Sequence, residues 1–249
     1  MKSETGTFWE HLDVLRWVIL RSLGVATVFA IAAFCLKDWL FAVVLAPKSA
    51  DFITFRLLGV EPFNISLMNT GLTEQFMTHM RVAMYAGVLC AAPYIIFELF
   101  RFISPGLYAG ERRAGFWIVT SSYVMFMAGT LLNYLLIFPL TVRFLGTYQV
   151  SSEVANMLTL QSYIDTLISM SLVMGVIFEL PIVCAILGKM GFISGSLMSR
   201  YRRHAIVAIL IVAAIITPTT DVFTLCIVSL PIWLLYEVSI WIVKLNQTN

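Results

Sequence analysis

The chain has 249 residues, of which 60% are apolar and only 12% charged, with a mean hydropathy of +0.90 and a formal net charge of +2. A water-soluble domain carries about one-quarter charged residues, so there are too few polar side chains here to cover a soluble core. What remains is an all-α polytopic membrane protein, a single integral membrane domain over residues 1–249 with lipid as its solvent.

The amino end, residues 1–17, is polar and lacks the apolar core and small-residue cleavage site of a signal peptide. Thr7-Phe8-Trp9-Glu10 is a capping-box pattern, which predicts a helix from Phe8 leading into the first span. Phe8, Leu12 and Leu15 share one face, and Glu10 and Asp13 another. The segment reads as a cytoplasmic interfacial helix whose acidic stripe either meets a partner or is simply solvated.

A spanning helix needs about 20 apolar residues. Such stretches run over Val18–Leu36, where Arg21 can snorkel to the interface, then Phe76–Phe97, Ala114–Phe138 and Leu167–Leu187. Two more, Ala205–Ile216 and Val222–Val243, are parted by Thr217-Pro218-Thr219-Thr220-Asp221, a helix stop and restart with Asp221 as N-cap. Ala205–Ile216 reaches only about 18 Å at helical rise, so six transmembrane helices are expected, the last two short and forming a hairpin below full membrane depth. Residues 37–75 and 139–163 then form external loops, 98–113 and 188–204 cytoplasmic loops, and 244–249 a cytoplasmic tail. Eleven Lys and Arg fall on the side of the termini and five on the other, which puts both ends in the cytoplasm of a bacterial inner membrane. Within the first external loop, Trp39–Leu45 is amphipathic, Ala46-Pro47 follows, and Phe52-Ile53-Thr54-Phe55 reads as strand-like.

Candidate chemistry is sparse. Ser104-Pro105-Gly106 is turn chemistry. Glu111, beside Arg112 and Arg113, either complements a helix dipole or accepts an arginine from a partner, since a carboxylate takes a guanidinium bidentately. Glu179, followed by Pro181, lies inside an apolar span, where an ionisable group marks a functional site by default; it is protonated, paired or facing a wet cavity. Glu237 is a weaker instance nearer the interface. His11, His79 and His204 lie too far apart in sequence to suggest a metal site, and Cys35, Cys90, Cys184 and Cys226 read as small hydrophobes. No nucleophile motif or cofactor-binding pattern occurs, so neither an enzyme nor a cofactor is expected. The basic run at Arg200–His204 is explained by topology rather than nucleic acid. Gly106–Gly110 and Gly191–Gly195 match G-x-x-x-G but fall in loops, so they are not expected to pack helices. A proton- or ion-coupled small-molecule transporter using Glu179 is the alternative function. The lack of an internal repeat and of broken helices with paired glycines counts against it.

Over nearly the whole chain the landmarks also resemble the TatC family, the multispanning receptor subunit of the twin-arginine, Sec-independent protein translocase. They are His11-Leu12-x-x-Leu15-Arg16, Ala46-Pro47, Phe102-Ile103-x-Pro105-x-Leu107-Tyr108-x-x-Glu111-Arg112-Arg113, Phe138-Pro139, Gly175-Val176-x-Phe178-Glu179-x-Pro181, Thr217-Pro218 and Asp221-Val222-Phe223. The resemblance implies binding of twin-arginine signal peptides of folded precursor proteins at the cytoplasmic face. It also implies assembly with single-span TatA- and TatB-type partners, a homo-oligomer within the complex, and export driven by the proton-motive force. By the same resemblance Glu111, with Arg112 and Arg113 beside it, is the arginine acceptor, and Glu179 the polar group of a lipid-facing cavity. Thr217, Pro218 and Asp221 would help dock a partner helix; Pro47, Pro105, Pro139 and Pro181 are structural. Two positions depart from the pattern. Val14 stands where the family carries a second acceptor Glu, leaving Asp13 or Glu10 as substitutes, and Leu225 stands where a polar Gln is common.

Overall fold

The structure, a computed structural model, describes residues 5–59, 63, 65–103, 112–148, 157–217 and 221–248. The described elements are helical save for two short strands. Helix α1 (Thr5–Cys35) leads to α2 (Lys37–Leu45), a 3-10 turn at Ala46–Lys48 and α3 (Ile53–Leu57). Strand β1 (Leu67–Met68) precedes α4 (Glu74–Ile103), followed by α5 (Arg112–Leu132), a π-helical turn at Asn133–Ile137 and α6 (Phe138–Thr147). Strand β2 (Leu158–Thr159), α7 (Leu160–Ile177), α8 (Leu180–Lys189), α9 (Gly195–Arg200), α10 (Arg202–Ile216) and α11 (Val222–Thr248) complete the order.

Five stretches are long and apolar enough to cross a membrane: Leu12–Cys35, Glu74–Phe102, Gly115–Thr147, Leu160–Lys189 and Val222–Gln247. On α1, Trp17, Ile19, Leu23, Val28 and Ile31 are all exposed, which is tolerable only against lipid. The short helix at the end of the chain is α10, whose 15 residues span about 22 Å. By contrast α11, expected to be short, has 27 residues, because the expected tail continues as helix through Thr248.

Two compact units form. The first holds residues 1–40 and 79–123, the second 41–78 and 124–249. In the first, α1 and α4 approach closely at Gly87, where a Cβ would stand 2.6 Å from both the Ala26 carbonyl and the Ala30 nitrogen. Small residues at such a crossing let backbones touch where no hydrophobic force drives helices together. In the second, Ile137, Met170, Met174, Ala213, Val228 and Ile232 form the core. Gly188 approaches Val243 of α11, and a Cβ on Gly129 would lie 2.5 Å from the Met174 carbonyl.

Prolines set where the helices of the second unit change course. Pro139 has no N–H for the carbonyl four residues back, Leu135, and its ring crowds that carbonyl. The helix answers by widening: Phe138 N–H reaches back five residues to the Asn133 carbonyl, the π register. The Leu135 carbonyl is then taken by the Thr54 hydroxyl of α3. Tyr134 Oη donates to the Val43 carbonyl at 2.7 Å and Tyr163 Oη to the Val44 carbonyl at 3.1 Å. This anchoring explains why Phe52–Phe55, expected as a strand, enters a helical turn instead. A turn directs Thr54 and Phe55 inward together, with Phe55 1% exposed and edge-on to Phe63, while Ile53, Arg56 and Leu57 stay outside. A strand would alternate them.

Pro181 acts likewise. The expected single span over Leu167–Leu187 is two helices, α7 and α8, parted by a turn at Phe178–Glu179. Ile177 faces a proline with no N–H, while the Glu179 carbonyl accepts from Ile182 and Val183, each at 3.0 Å. The expectation of one uninterrupted helix over Leu167–Leu187 is therefore corrected. So is that for Gly195, which begins α9 rather than lying in a loop. Its missing Cβ lets α9 sit on α11, since a Cβ there would stand 3.2 Å from the Lys244 nitrogen.

Glu74, 7% exposed, ties two distant connections together. Its Oε2 accepts from the Thr70 and Gly71 N–H groups, each at 2.9 Å, and from the Thr70 hydroxyl at 3.1 Å. Its Oε1 accepts from the Gln161 N–H at 3.0 Å. Beside it, β1 and β2 pair in parallel, Leu67 with Leu158 and Met68 with Thr159.

Thr54→Val should lower stability by about 1–2 kcal/mol, the scale of a buried carbonyl losing its donor. The loss should shrink in a Pro139→Ala background, where an N–H returns. Thermal unfolding of the four proteins of this cycle in detergent reads the difference.

Candidate functional site

Two places gather the groups that could carry function, one in each unit. In the first unit a cavity of about 450 Å³ is lined by Val14, Trp17, Val18 and Arg21 of α1 and by Glu98, Arg101 and Phe102 of α4. The α1 residues recur at helical spacing, so one face of that helix forms one wall. Glu98 is 4% exposed. Its Oε1 accepts from Tyr94 Oη at 3.1 Å and lies 3.9 Å from Arg21 Nη1. A buried carboxylate requires such partners, and here both come from side chains within the helix pair. Asp13 is exposed and is not part of the wall; one residue from Val14, it is turned by about 100°.

Sharing Arg101 with this cavity is an apolar groove of about 930 Å³, lined by Pro93, Phe97, Phe100, Phe116, Val119 and Tyr123 among others. Tyr94 and Arg101 belong to its wall too. Gly115 keeps it open, since a Cβ there would press on Phe100 at 3.1 Å.

In the second unit, Glu179 sits half-buried in the turn between α7 and α8. Around that turn, Gly175 lets α7 approach Phe126 and Thr130 of α5, and Gly129 meets the Phe178 ring. Asn133, fully buried, donates from Nδ2 to Ser171 Oγ at 2.8 Å. Glu237 is held by Arg202 Nη2 at 2.7 Å, a strong ion pair across α10 and α11.

At the start of α11, Asp221 Oδ2 accepts from the Thr224 N–H at 2.7 Å, the N-cap geometry expected from the sequence. Thr217, buried, donates from Oγ1 to the Ala213 carbonyl at 3.0 Å. Leu225 packs against the core of the second unit, and Phe223 stacks on Phe144. Pro47, Pro139 and Pro181 are buried, the last two opening α6 and α8.

Several expected site residues lie outside the described residues: Pro105, Glu111 and Pro218, together with the side chains of Glu10, Arg112 and Arg113. Glu98 was missed in the sequence. The signal was available, because Glu98 follows an apolar run one turn before Arg101, and Arg21 interrupts the first apolar run. Two opposite charges inside two spans suggest a pair.

The model of the family "Sec-independent protein translocase protein (TatC)" matches residues 10–231. The chain belongs to the TatC family. Among curated relatives, the TatC protein of Carboxydothermus hydrogenoformans is 30% identical over 98% of this chain and 95% of its own. That of Desulforapulum autotrophicum is 32% identical over 96% of this chain and 84% of its own. A crystal structure of the twin-arginine translocase receptor TatC superposes with a TM-score of 0.79 at 29% identity, covering 95% of this chain and 99% of that one. A second, in detergent, gives 0.79 at 28% identity. The TatC-family chain is thus a multi-pass helical membrane protein and a protein translocase component, not an enzyme. Membership does not favour the ion-coupled transporter, even though the span carrying Glu179 is broken.

The α1–α4 crossing supports the cavity, and this sets an expected contrast. Gly87→Val should drive the helices apart and lower the unfolding temperature by several degrees. Gly24→Ala, with nothing within 4 Å of the added Cβ, should leave it unchanged or raise it, by up to about 1 kcal/mol of helix propensity. Melting curves of the two variants in the same detergent decide it.

Proposed function

We propose that this chain is the receptor subunit of a twin-arginine translocase, binding the signal peptides of folded precursor proteins through their paired arginines. The observation that carries the reading is its likeness, over 99% of that chain's length, to a protein described as the twin-arginine translocase receptor. The binding face is the cytoplasmic one, in a bacterial inner membrane with both termini inside, as the eleven-to-five distribution of Lys and Arg supports.

On this reading Glu111, flanked by Arg112 and Arg113, accepts one peptide guanidinium. A charge-assisted pair at a wet interface is worth about 1–2 kcal/mol, enough to discriminate and too little to hold a peptide alone. The apolar stretch that follows the arginines supplies the rest by burial. The groove lined by Phe97, Phe116 and Val119 has the apolar lining for it.

TatA- and TatB-type single-span partners complete the complex. Such a helix docks at Thr217, Pro218 and Asp221, ahead of α11, and Leu225 contributes there by packing rather than hydrogen bonding. Glu179, beside the α7–α8 turn, is the intramembrane polar site of the same machinery. Several copies of the chain assemble in the working complex.

A twin-arginine signal peptide carrying a photo-reactive residue should crosslink to the chain in membranes. The yield should fall about tenfold with a twin-lysine peptide and by a similar factor with Glu111→Ala. Yields indifferent to both changes would refute the receptor assignment.

A further inference from the structure

We infer that Glu98 is the acceptor for the second guanidinium of the signal peptide; this rests on the reading that the chain recognises paired arginines. A carboxylate takes one guanidinium through two parallel N–H···O bonds, so two arginines call for an acid in addition to Glu111. At the α1 wall of the cavity the side chain offered is Val14, which can accept nothing, and Asp13 is turned away from that wall. The carboxylate in the cavity is Glu98, delivered from α4.

Its present bonding leaves room for a guest. Both partners of Glu98, Tyr94 Oη at 3.1 Å and Arg21 Nη1 at 3.9 Å, meet Oε1. Among the described residues none bonds Oε2. At 3.9 Å Arg21 neutralises the buried charge without forming a hydrogen bond. Its side chain is 54% exposed, so it can withdraw toward water or lipid headgroups as a guest arrives. Arg21 is in this sense a place-holder for the peptide arginine.

The walls favour arginine over lysine. Trp17 and Phe102 line the cavity, and an aromatic ring can take a planar guanidinium by stacking. Arg21 and Arg101 repel any incoming cation. A guanidinium offsets that repulsion with two bonds and a stack, whereas a compact, strongly hydrated ammonium makes one contact and keeps its water. The cavity thereby turns a requirement for positive charge into a requirement for arginine.

The test uses the full-length chain in membranes and three photo-reactive signal peptides, carrying Arg-Arg, Lys-Arg or Arg-Lys. In the unaltered chain each single lysine should lower crosslinking about tenfold. Glu98→Gln, nearly the same size, should erase the penalty for lysine at one of the two positions and keep it at the other. Glu111→Ala should do the reverse. Adding Val14→Glu to Glu98→Gln should restore the lost discrimination, because both side chains line one cavity. Glu98→Asp, for use if the Gln variant unfolds, should weaken discrimination at the same position. If Glu98→Gln keeps both penalties intact, the inference is overturned while the receptor reading stands. If the unaltered chain shows no penalty for either lysine, the receptor reading fails and this assignment with it.

Discussion

Inside a bilayer no water is available to finish an incomplete hydrogen bond, so every carbonyl that a helix releases must find another donor within the protein. The second unit is organised around that constraint. Pro139 releases the Leu135 carbonyl, and Thr54, 81 residues earlier in the chain, takes it up. Because Thr54 can do so only from a helical turn, the constraint reaches back and sets the local structure of α3. Phe55 and Phe63 then pack as a consequence. At Pro181 the same shortage is met differently, by ending one helix and starting another. The freed geometry puts Glu179 in a turn rather than on a regular helix face. A proline in a span is thus less a defect than an instruction to some other segment.

Charges follow a parallel rule. The described carboxylates Glu98, Glu237 and Glu74 are each met: by Tyr94 and Arg21, by Arg202, and by backbone N–H groups. These three solutions differ in rigidity. The backbone cradle at Glu74 is fixed by the fold, and the 2.7 Å pair at Glu237 is tight. Only the pairing at Glu98 is loose, which fits a site meant to exchange partners rather than to hold the fold.

Much of this was legible in the sequence. The spans, the restart at Asp221 and the shortness of α10 follow from apolar run length and capping chemistry, which are local. What was illegible depended on contacts between distant residues. Phe52–Phe55 has strand-like composition, and only the partner at Leu135 makes it turn. Gly195 reads as the end of a loop until Lys244 is seen against it. The proposed arginine acceptors divide on the same line. Glu111 stands out through its arginine neighbours in sequence, whereas Glu98 gains meaning only once Gly87 has brought α1 against α4.

Glu74 and the β1–β2 pair join two connections that are about ninety residues apart in sequence. The two oxygens divide the work, Oε2 taking the Thr70 and Gly71 N–H groups and Oε1 the Gln161 N–H. One carboxylate thus serves as a clasp for both connections.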